Sequence, residues 1–148
     1  MACLLLDAAG RNRHRETLLE LEHDVEKIQR IARDIPPLKV NGNPAGGKLL
    51  VVGWGSTFGA ISDALPRLRA LGRDVSSIHL KYLNPFPPNL GEILNRFDKI
   101  LVPELNLGQL SLLLQARYLK PTVGLNKVQG RPFMVSEIVD KVEELLKE

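Results

Sequence analysis

Four short apolar runs, each followed by a stretch of helical periodicity, constrain the fold of this 148-residue chain most strongly. Three of the runs are nearly continuous in apolar residues, which is typical of strands covered on both faces of a parallel sheet. Parallel strands need crossover connections, usually right-handed helices that pack on the sheet. The sequence therefore predicts an α/β fold of three layers, with a mostly parallel sheet between helices. The predicted strands are 49–52, 75–80, 100–102 and 122–125.

The predicted helices follow the strands at 60–71, 90–97, 107–119 and 135–146. Pro66 falls inside the first of them and removes one backbone hydrogen bond, so a kink or an early break is expected there. Asn89 with Glu92, and Asn106 with Gln109, have the spacing of capping boxes, in which two side chains satisfy free amides at a helix start. Helix starts are thus predicted beside both asparagines.

A separate amphipathic helix is predicted before the sheet, over residues 16–34. Its apolar stripe runs through Leu18, Leu21, Val25 and Ile28, and a pair of prolines at 36 and 37 ends it. Docking on a neighbouring domain is the favoured interpretation of this helix, although a short coiled coil also fits. The segment NGNPAGG then predicts a linker, which divides the chain into a helix and linker (1–47) and an α/β domain (48–148).

Composition excludes several functional classes. The net charge is only +3 and basic residues are interleaved with acidic ones, so no nucleic-acid partner is expected. Cys3 is the only cysteine and cannot by itself hold an iron–sulfur cluster or a structural zinc ion. No apolar run approaches the ~18 residues of a membrane span, and the first residues lack the pattern of a secretory signal. The sequence predicts a cytoplasmic chain without a membrane partner.

A glycine turn follows the first strand in the segment VVGWGSTFGAISDA. Gly53, Gly55 and Gly59 lie between a strand and a helix, where free amides and the helix dipole can bind an anion. Their spacing is one residue longer than the dinucleotide fingerprint, and Lys81 stands where a ribose-binding acid is expected. One interpretation is a tight turn with close helix packing and Ser56 as N-cap; the other is a site for a phosphate or carboxylate.

Two further groups lie at predicted strand ends, the edge at which open α/β sheets bind their ligands. Glu104 and Asn106 end the third strand; Asn106 is expected to cap a helix, and Glu104 to form a structural ion pair or part of a site. Lys127, Gln129 and Arg131 form a polar loop after the fourth strand. This loop is either a phosphate site or a solvated or interface loop.

No catalytic or metal-binding set is predicted. The three histidines, His14, His23 and His79, are scattered and have no metal-ligand spacing. His79 lies inside a predicted strand and is expected to be a hydrogen-bonded interior residue. No nucleophile, base and orienting group occur together in a recognisable pattern.

Four segments carry a family resemblance, and they read LLVVGWGSTFGAISDAL, HLKYLNPFPPNLGEIL, KILVPELNLGQLSLLL and GLNKVQGRPF in chain order. Together they closely resemble the C-terminal domain of the α subunit of 2-oxoacid:ferredoxin oxidoreductases, most of all the 2-oxoglutarate type. The resemblance covers about residues 35–146, and the helix at 16–34 resembles the segment that precedes this domain. It implies the fold of the transketolase C-terminal domain.

The resemblance also implies a role within a larger enzyme. The parent complex decarboxylates a 2-oxoacid on thiamine diphosphate and Mg, passes electrons through iron–sulfur clusters to ferredoxin, and forms an acyl-coenzyme A. This chain has no G-D-G…N cofactor motif and one cysteine, so it is expected to bind no cofactor alone and to be inactive alone. It is interpreted as a fragment or separately encoded piece whose partners are the rest of the α subunit and the β subunit.

The resemblance implies that this chain supplies subunit packing and the shape of the active-site approach, with a contact to coenzyme A or a partner domain, and three groups of its residues match the family's motifs. Two other hypotheses stay open: a stand-alone nucleotide- or coenzyme A-binding domain, and a dimerisation module. No member of the groups is expected to be catalytic. The three groups of residues are Gly53, Gly55, Ser56 and Thr57; Glu104, Asn106 and Gln109; and Lys127, Gln129 and Gly130.

Overall fold

Strands and helices alternate along the chain from residue 47 to residue 147. A computed structural model of the protein describes residues 26–28 and 30–147. A 3-10 turn, Gly55–Thr57, separates the first strand from the first helix. The strands are β1 (Gly47–Trp54), β2 (Val75–Leu80), β3 (Phe97–Glu104) and β4 (Val123–Asn126), and the helices are α1 (Phe58–Ala70), α2 (Leu90–Asn95), α3 (Gln109–Tyr118) and α4 (Val135–Lys147).

The four strands form one parallel sheet in the order β2-β1-β3-β4. Leu50 of β1 is paired with Ser76 on one side and with Ile100 on the other. The chain moves outward in one direction from β1 to β2, and then in the opposite direction through β3 and β4. A crevice therefore opens at the carboxyl ends of β1 and β3, where the connections leave to opposite sides.

Two apolar cores lie on opposite faces of the sheet, which confirms the three-layer prediction. Leu50 and Val52 of β1 belong to the core that includes residues of α2 and α3. Leu49 and Val51 belong to the core that includes residues of α1 and α4. Successive side chains of a strand point to opposite faces, so a strand buried twice needs a continuous apolar run.

Of the kink or early break predicted at Pro66, the early break is wrong, because α1 continues past this residue. The helix runs through it to Ala70. Pro66 is exposed, whereas Leu65 and Leu68 on either side of it are fully buried. Burial of these side chains against the sheet outweighs the one lost hydrogen bond. Within the described ranges, no helix combines the length and the apolar character needed to cross a bilayer.

The segment before β1 is helical at 26–28 and 30–34, in agreement with the prediction for this region. Leu18, Leu21 and Val25 of the predicted stripe lie outside the described residues. Further along, Asn41 in the predicted linker pairs with Ser77 in an antiparallel bridge, with N–H to O distances of 2.8 and 3.0 Å. The chain therefore contacts the outer edge of β2 before it enters β1.

Asn89 ties this same segment to the start of α2. Its side-chain oxygen accepts a hydrogen bond from the Leu38 amide (2.8 Å), and its side-chain nitrogen donates one to the Leu38 carbonyl (3.0 Å). The predicted capping box with Glu92 is wrong, because the Asn89 side chain makes no bond to the helix amides. Both hydrogen-bonding groups of the Asn89 side chain bond instead to the backbone of Leu38, which lies 51 residues away in sequence.

Candidate functional site

The carboxyl ends of β1 and β3 open into a crevice of about 390 Å³, called here the switch crevice. It lies where the strand order reverses, the position at which open α/β sheets bind ligands. The fold therefore brings the first two predicted groups together. Trp54 ends β1 and Leu105 directly follows β3, and neither was singled out from the sequence. The lining residues are Trp54, Gly55, Ser56, Thr57, Leu105, Asn106 and Gln109.

Thr57 holds the turn on the β1 side of the crevice. Its hydroxyl donates a hydrogen bond to the Trp54 carbonyl (2.8 Å) and accepts one from the Trp54 amide (3.1 Å). Gly55 has a φ of 57°, in the left-handed region that favours glycine. Because the chain makes a 3-10 turn before α1, Thr57 rather than Ser56 precedes the helix, and the predicted N-cap role of Ser56 is wrong. Ser56 is exposed at the crevice.

Gly53 lies beneath this turn and allows α1 to approach the sheet closely. A Cβ atom there would lie 2.4 Å from Ile61 Cδ1, 3.0 Å from Thr57 Oγ1 and 3.2 Å from His79 Nδ1. Gly59 has no such neighbour within 4 Å. The packing interpretation of the glycine turn is therefore supported at Gly53, where the space for a side chain is already taken.

Glu104 is fully buried behind the crevice, and its carboxylate serves the amino end of α3. One oxygen accepts a hydrogen bond from the Leu110 amide and the other from the Ser111 amide, each at 2.8 Å. A negative charge beside free amides at a helix start is favourable. The sequence offered an ion pair or a site role for Glu104, whereas its oxygens bond to the backbone of α3.

Asn106 completes the β3 side of the crevice. Its side-chain oxygen accepts hydrogen bonds from the Gly108 amide (2.7 Å) and the Gln109 amide (3.1 Å), so Asn106 holds the turn that leads into α3. Gly108 rather than Asn106 is the N-cap residue of α3 and no side-chain cap bond is present, so the predicted capping box with Gln109 is wrong. Gly108, the residue before α3, has a φ of 94°. Gln109 is exposed at the rim. Asn106 and Glu104 together hold the start of α3 beside the turn at Gly55.

The third predicted group lies in a separate cavity of about 460 Å³ that shares no lining residue with the switch crevice. The Lys127 ammonium donates to both carboxylate oxygens of Glu137 at 2.8 Å and to the Pro132 carbonyl at 3.1 Å. The bond from Lys127, followed by one from the Met134 amide, lowers the pKa of Glu137. Gln129 lines this cavity, and Arg131 is exposed on the same loop.

His79 packs edge-on against Phe58, with ring centroids 4.9 Å apart and an angle of 72° between the rings. Its Nδ1 atom is buried and has no hydrogen-bond partner in the part of the chain that the structure describes. The predicted hydrogen-bonded role is therefore wrong for this atom. Burial, and secondly the charge of Lys81, lower the pKa of His79, so the neutral ring is favoured.

A further cavity of about 430 Å³ runs beside His79, between α1, the outer edge of β2 and residues 36–41. Lys39 and Lys81 lie on its wall. Sequence reasoning missed this cavity. Its formation depends on the pairing of Asn41 with Ser77, for which the sequence carries no local signal.

Comparison with known proteins decides the family. Residues 47–138 match the family described as pyruvate:ferredoxin oxidoreductase core domain II. The chain belongs to this family. It is 46% identical over 104 residues to 2-oxoglutarate oxidoreductase subunit KorA of Mycobacterium tuberculosis, a match that covers 70% of this chain and 16% of the relative. It is 31% identical over 139 residues to 2-oxoacid:ferredoxin oxidoreductase 1, subunit alpha, of Aeropyrum pernix, covering 88% of this chain and 21% of the relative.

Solved structures agree with this assignment. The 2-oxoglutarate:ferredoxin oxidoreductase from Magnetococcus marinus, with 2-oxoglutarate, coenzyme A and succinyl-CoA bound, superposes with a TM-score of 0.82 and 27% identity, covering 97% of this chain and 26% of that chain. A split gene transketolase, at 19% identity and a TM-score of 0.56 over 76% of this chain and 42% of that one, shares the fold. The family resemblance and the transketolase-like fold inferred from the sequence are both confirmed. The chain spans about a fifth of the length of the curated relatives.

Replacing Gly53 and Gly59 separately by alanine tests the packing role of the turn. Gly53→Ala is expected to destabilise the fold by about 1–3 kcal/mol, because the added methyl group overlaps Ile61. Gly59→Ala lies in open space within α1 and is expected to stabilise it by about 0.4–1 kcal/mol. Urea unfolding measures both changes. Equal effects of the two substitutions would contradict the packing role.

Glu104→Gln tests the clamp on α3. The amide group of glutamine can accept at one oxygen only, so one buried N–H loses its partner at a cost of about 1–3 kcal/mol. Glu92→Gln is the matched control, because Glu92 also lies in a first helical turn but is exposed; its effect is expected within about 0.5 kcal/mol. Urea unfolding measures the free energy of unfolding of both variants. Equal losses of stability would contradict the role of Glu104 in holding α3.

The lowered pKa of His79 predicts that the stability of the fold depends on pH. Its pKa in the fold lies below the ordinary value of 6.5, so the unfolded chain binds the proton more readily. This contribution to stability is present above pH 6.5 and is lost as the pH falls from 6.5 toward the lower pKa of the folded state. Urea unfolding between about pH 7.5 and 5.5 should show a smaller loss for His79→Phe than for the parent. Identical pH profiles would contradict the assignment.

Proposed function

We propose that this chain is the C-terminal assembly domain of the α subunit of a 2-oxoacid:ferredoxin oxidoreductase, with 2-oxoglutarate as the 2-oxoacid. The proposal depends chiefly on the 46% identity to 2-oxoglutarate oxidoreductase subunit KorA. The TM-score of 0.82 to a 2-oxoglutarate:ferredoxin oxidoreductase supports it. In this proposal residues 1–47 are the connecting helix and linker, residues 48–148 are the assembly domain, and the complex is cytoplasmic.

The parent enzyme would supply the cofactor chemistry elsewhere: thiamine diphosphate with Mg for decarboxylation, iron–sulfur clusters for electron transfer to ferredoxin, and coenzyme A as acyl acceptor. The residues of the switch crevice do not fit a metal–diphosphate site. Glu104 has both oxygens bonded to α3 amides, and Lys127, in the separate cavity, is bonded to Glu137. We therefore assign no chemical step to this chain and propose that it is inactive alone.

The switch crevice is the proposed contact with the remainder of the complex. Ser56 and Gln109 are exposed at its opposite walls, and the buried bonds of Thr57 and Glu104 hold both walls in place. A pre-formed crevice loses little conformational entropy when a neighbouring domain fills it. The proposed partners are the rest of the α subunit and the β subunit, and the same crevice is the proposed place of any contact with coenzyme A.

Reconstitution tests the proposal. The complementary part of the α subunit and the β subunit are mixed with and without this chain, and reduction of an artificial electron acceptor by 2-oxoglutarate and coenzyme A is measured. Activity is expected only when the chain is present. Ser56→Tyr, which fills the crevice, should raise the chain concentration needed for half-maximal activity by about tenfold or more. Ser136→Tyr, at an exposed serine of α4, is the matched control.

Three outcomes separate the hypotheses. If the activity is the same with and without the chain and no complex forms, the proposed function is wrong and the resemblance reflects only common ancestry with the oxidoreductases. Equal effects of Ser56→Tyr and Ser136→Tyr would move the contact away from the crevice. Calorimetric binding of NAD, FMN, ATP or coenzyme A to the isolated chain would instead favour a stand-alone binding domain.

A further inference from the structure

The cavity of about 430 Å³ beside His79, called here the edge cavity, lies between α1, the outer edge of β2 and residues 36–41. Its volume falls within the range of small-molecule sites, about 300–1,000 Å³. It shares no lining residue with the switch crevice or with the cavity at Lys127. The edge cavity is therefore a candidate binding site separate from the two groups of residues discussed above.

Long-range hydrogen bonds fix the wall that residues 36–41 form. Asn41 pairs with Ser77 of β2, and the Arg69 guanidinium of α1 donates a hydrogen bond to the Asn41 carbonyl at 2.6 Å. The Leu38 backbone is bonded to the Asn89 side chain. The shape of the cavity is thus set before a ligand enters, so that little conformational entropy is lost on binding.

The aromatic side chains of the chain indicate what the edge cavity binds. The chain has one tryptophan, two tyrosines and four phenylalanines, and the structure describes all of them. Only Phe58 and Tyr82 among them are exposed, at 56% and 46%, and both line the edge cavity. Aromatic rings pack favourably against other aromatic rings, face to edge or offset. The cavity therefore favours a ligand with a planar ring.

The charge of the edge cavity is positive. Lys39 and Lys81 lie on its wall, and no acidic residue is among the described residues that line it. Neither lysine side chain forms a hydrogen bond or a salt bridge within the part of the chain that the structure describes. The neutral ring of His79 adds a group that forms hydrogen bonds without a charge. The complementary ligand is an anion.

We propose that the edge cavity binds an aromatic anion, a planar ring that carries a carboxylate or phosphate group. The ring packs on Phe58 and Tyr82, and the anionic group pairs with Lys39 and Lys81. This inference goes beyond the proposed function and does not depend on it, because the edge cavity and the switch crevice have different walls. Failure of ligand binding would leave the result of the reconstitution experiment unchanged.

Calorimetric titration of the full chain with naphthyl phosphate and with naphthoate tests the proposal. Saturable binding at one site is expected for at least one of them, and their comparison identifies the preferred anionic group. Naphthol lacks the charge and inorganic phosphate lacks the ring, so each should bind about tenfold more weakly or worse. Absence of saturable binding by both anions, or equal affinity for naphthol, would overturn the proposal.

Substitution of the two lysines tests the position of the anionic group. The double variant Lys39→Met with Lys81→Met should raise the dissociation constant of the bound probe about tenfold, because two charge pairs are lost. The matched control is Lys48→Met with Lys147→Met, which removes two exposed lysines that lie outside the edge cavity. Equal dissociation constants for the two double variants would overturn the proposal.

Substitution of Tyr82 tests the position of the ring. Tyr82→Ala should raise the dissociation constant about tenfold, because the ring of the probe loses its stacking partner. Leu71→Ala is the control, since Leu71 is 63% exposed and does not line the cavity. Circular dichroism checks that the variants are folded, and Phe58→Ala replaces Tyr82→Ala if that variant is not. Equal affinities of the tyrosine variant and its control would overturn the placement of the ring.

Discussion

Burial of β1 on both of its faces is the constraint on which the structure depends. Leu49 to Val52 are completely buried, two side chains pack on each side, and parallel strands flank β1 at both edges. An unbonded polar side chain in such a strand is costly, and both faces of the strand must be covered by a helical layer. The need to cover both faces of β1 determines where the helices pack, and the switch crevice lies at the carboxyl end of the same strand.

Three local arrangements of residues at the carboxyl edge of the sheet form the switch crevice. Gly53 leaves room for α1 to approach β1, and Thr57 closes the turn above it. Glu104 and Asn106 bond to the first amides of α3. Buried or fully bonded groups hold both walls, whereas the exposed residues at the rim remain available for contact. Rigid walls with polar rims are typical of surfaces that bind partners or ligands with little rearrangement.

Much of the fold and part of the site could be predicted from the sequence. Apolar runs and helical periods locate every strand and helix of the sheet domain, because these patterns reflect burial of one or two faces. The bonds of Asn106 could be predicted because their donors are only two and three residues away, although Gly108 takes the N-cap position of α3. Ser56 could not be placed, since a 3-10 turn shifts the helix start to the next residue. Asn89 resembles a cap equally well, yet its hydrogen bonds go to Leu38.

By itself, the sequence determined the element order, the parallel sheet, the two-sided core and the family. These depend on local periodicity and on motifs whose residues are close along the chain. Only the tertiary structure decided that the carboxyl ends of β1 and β3 share one crevice and that the loop at Lys127 lines a separate cavity. It also decided that Asn41 pairs with Ser77 of β2. Each of these depends on residues far apart in sequence, whose pairing is set by the packing of the whole domain.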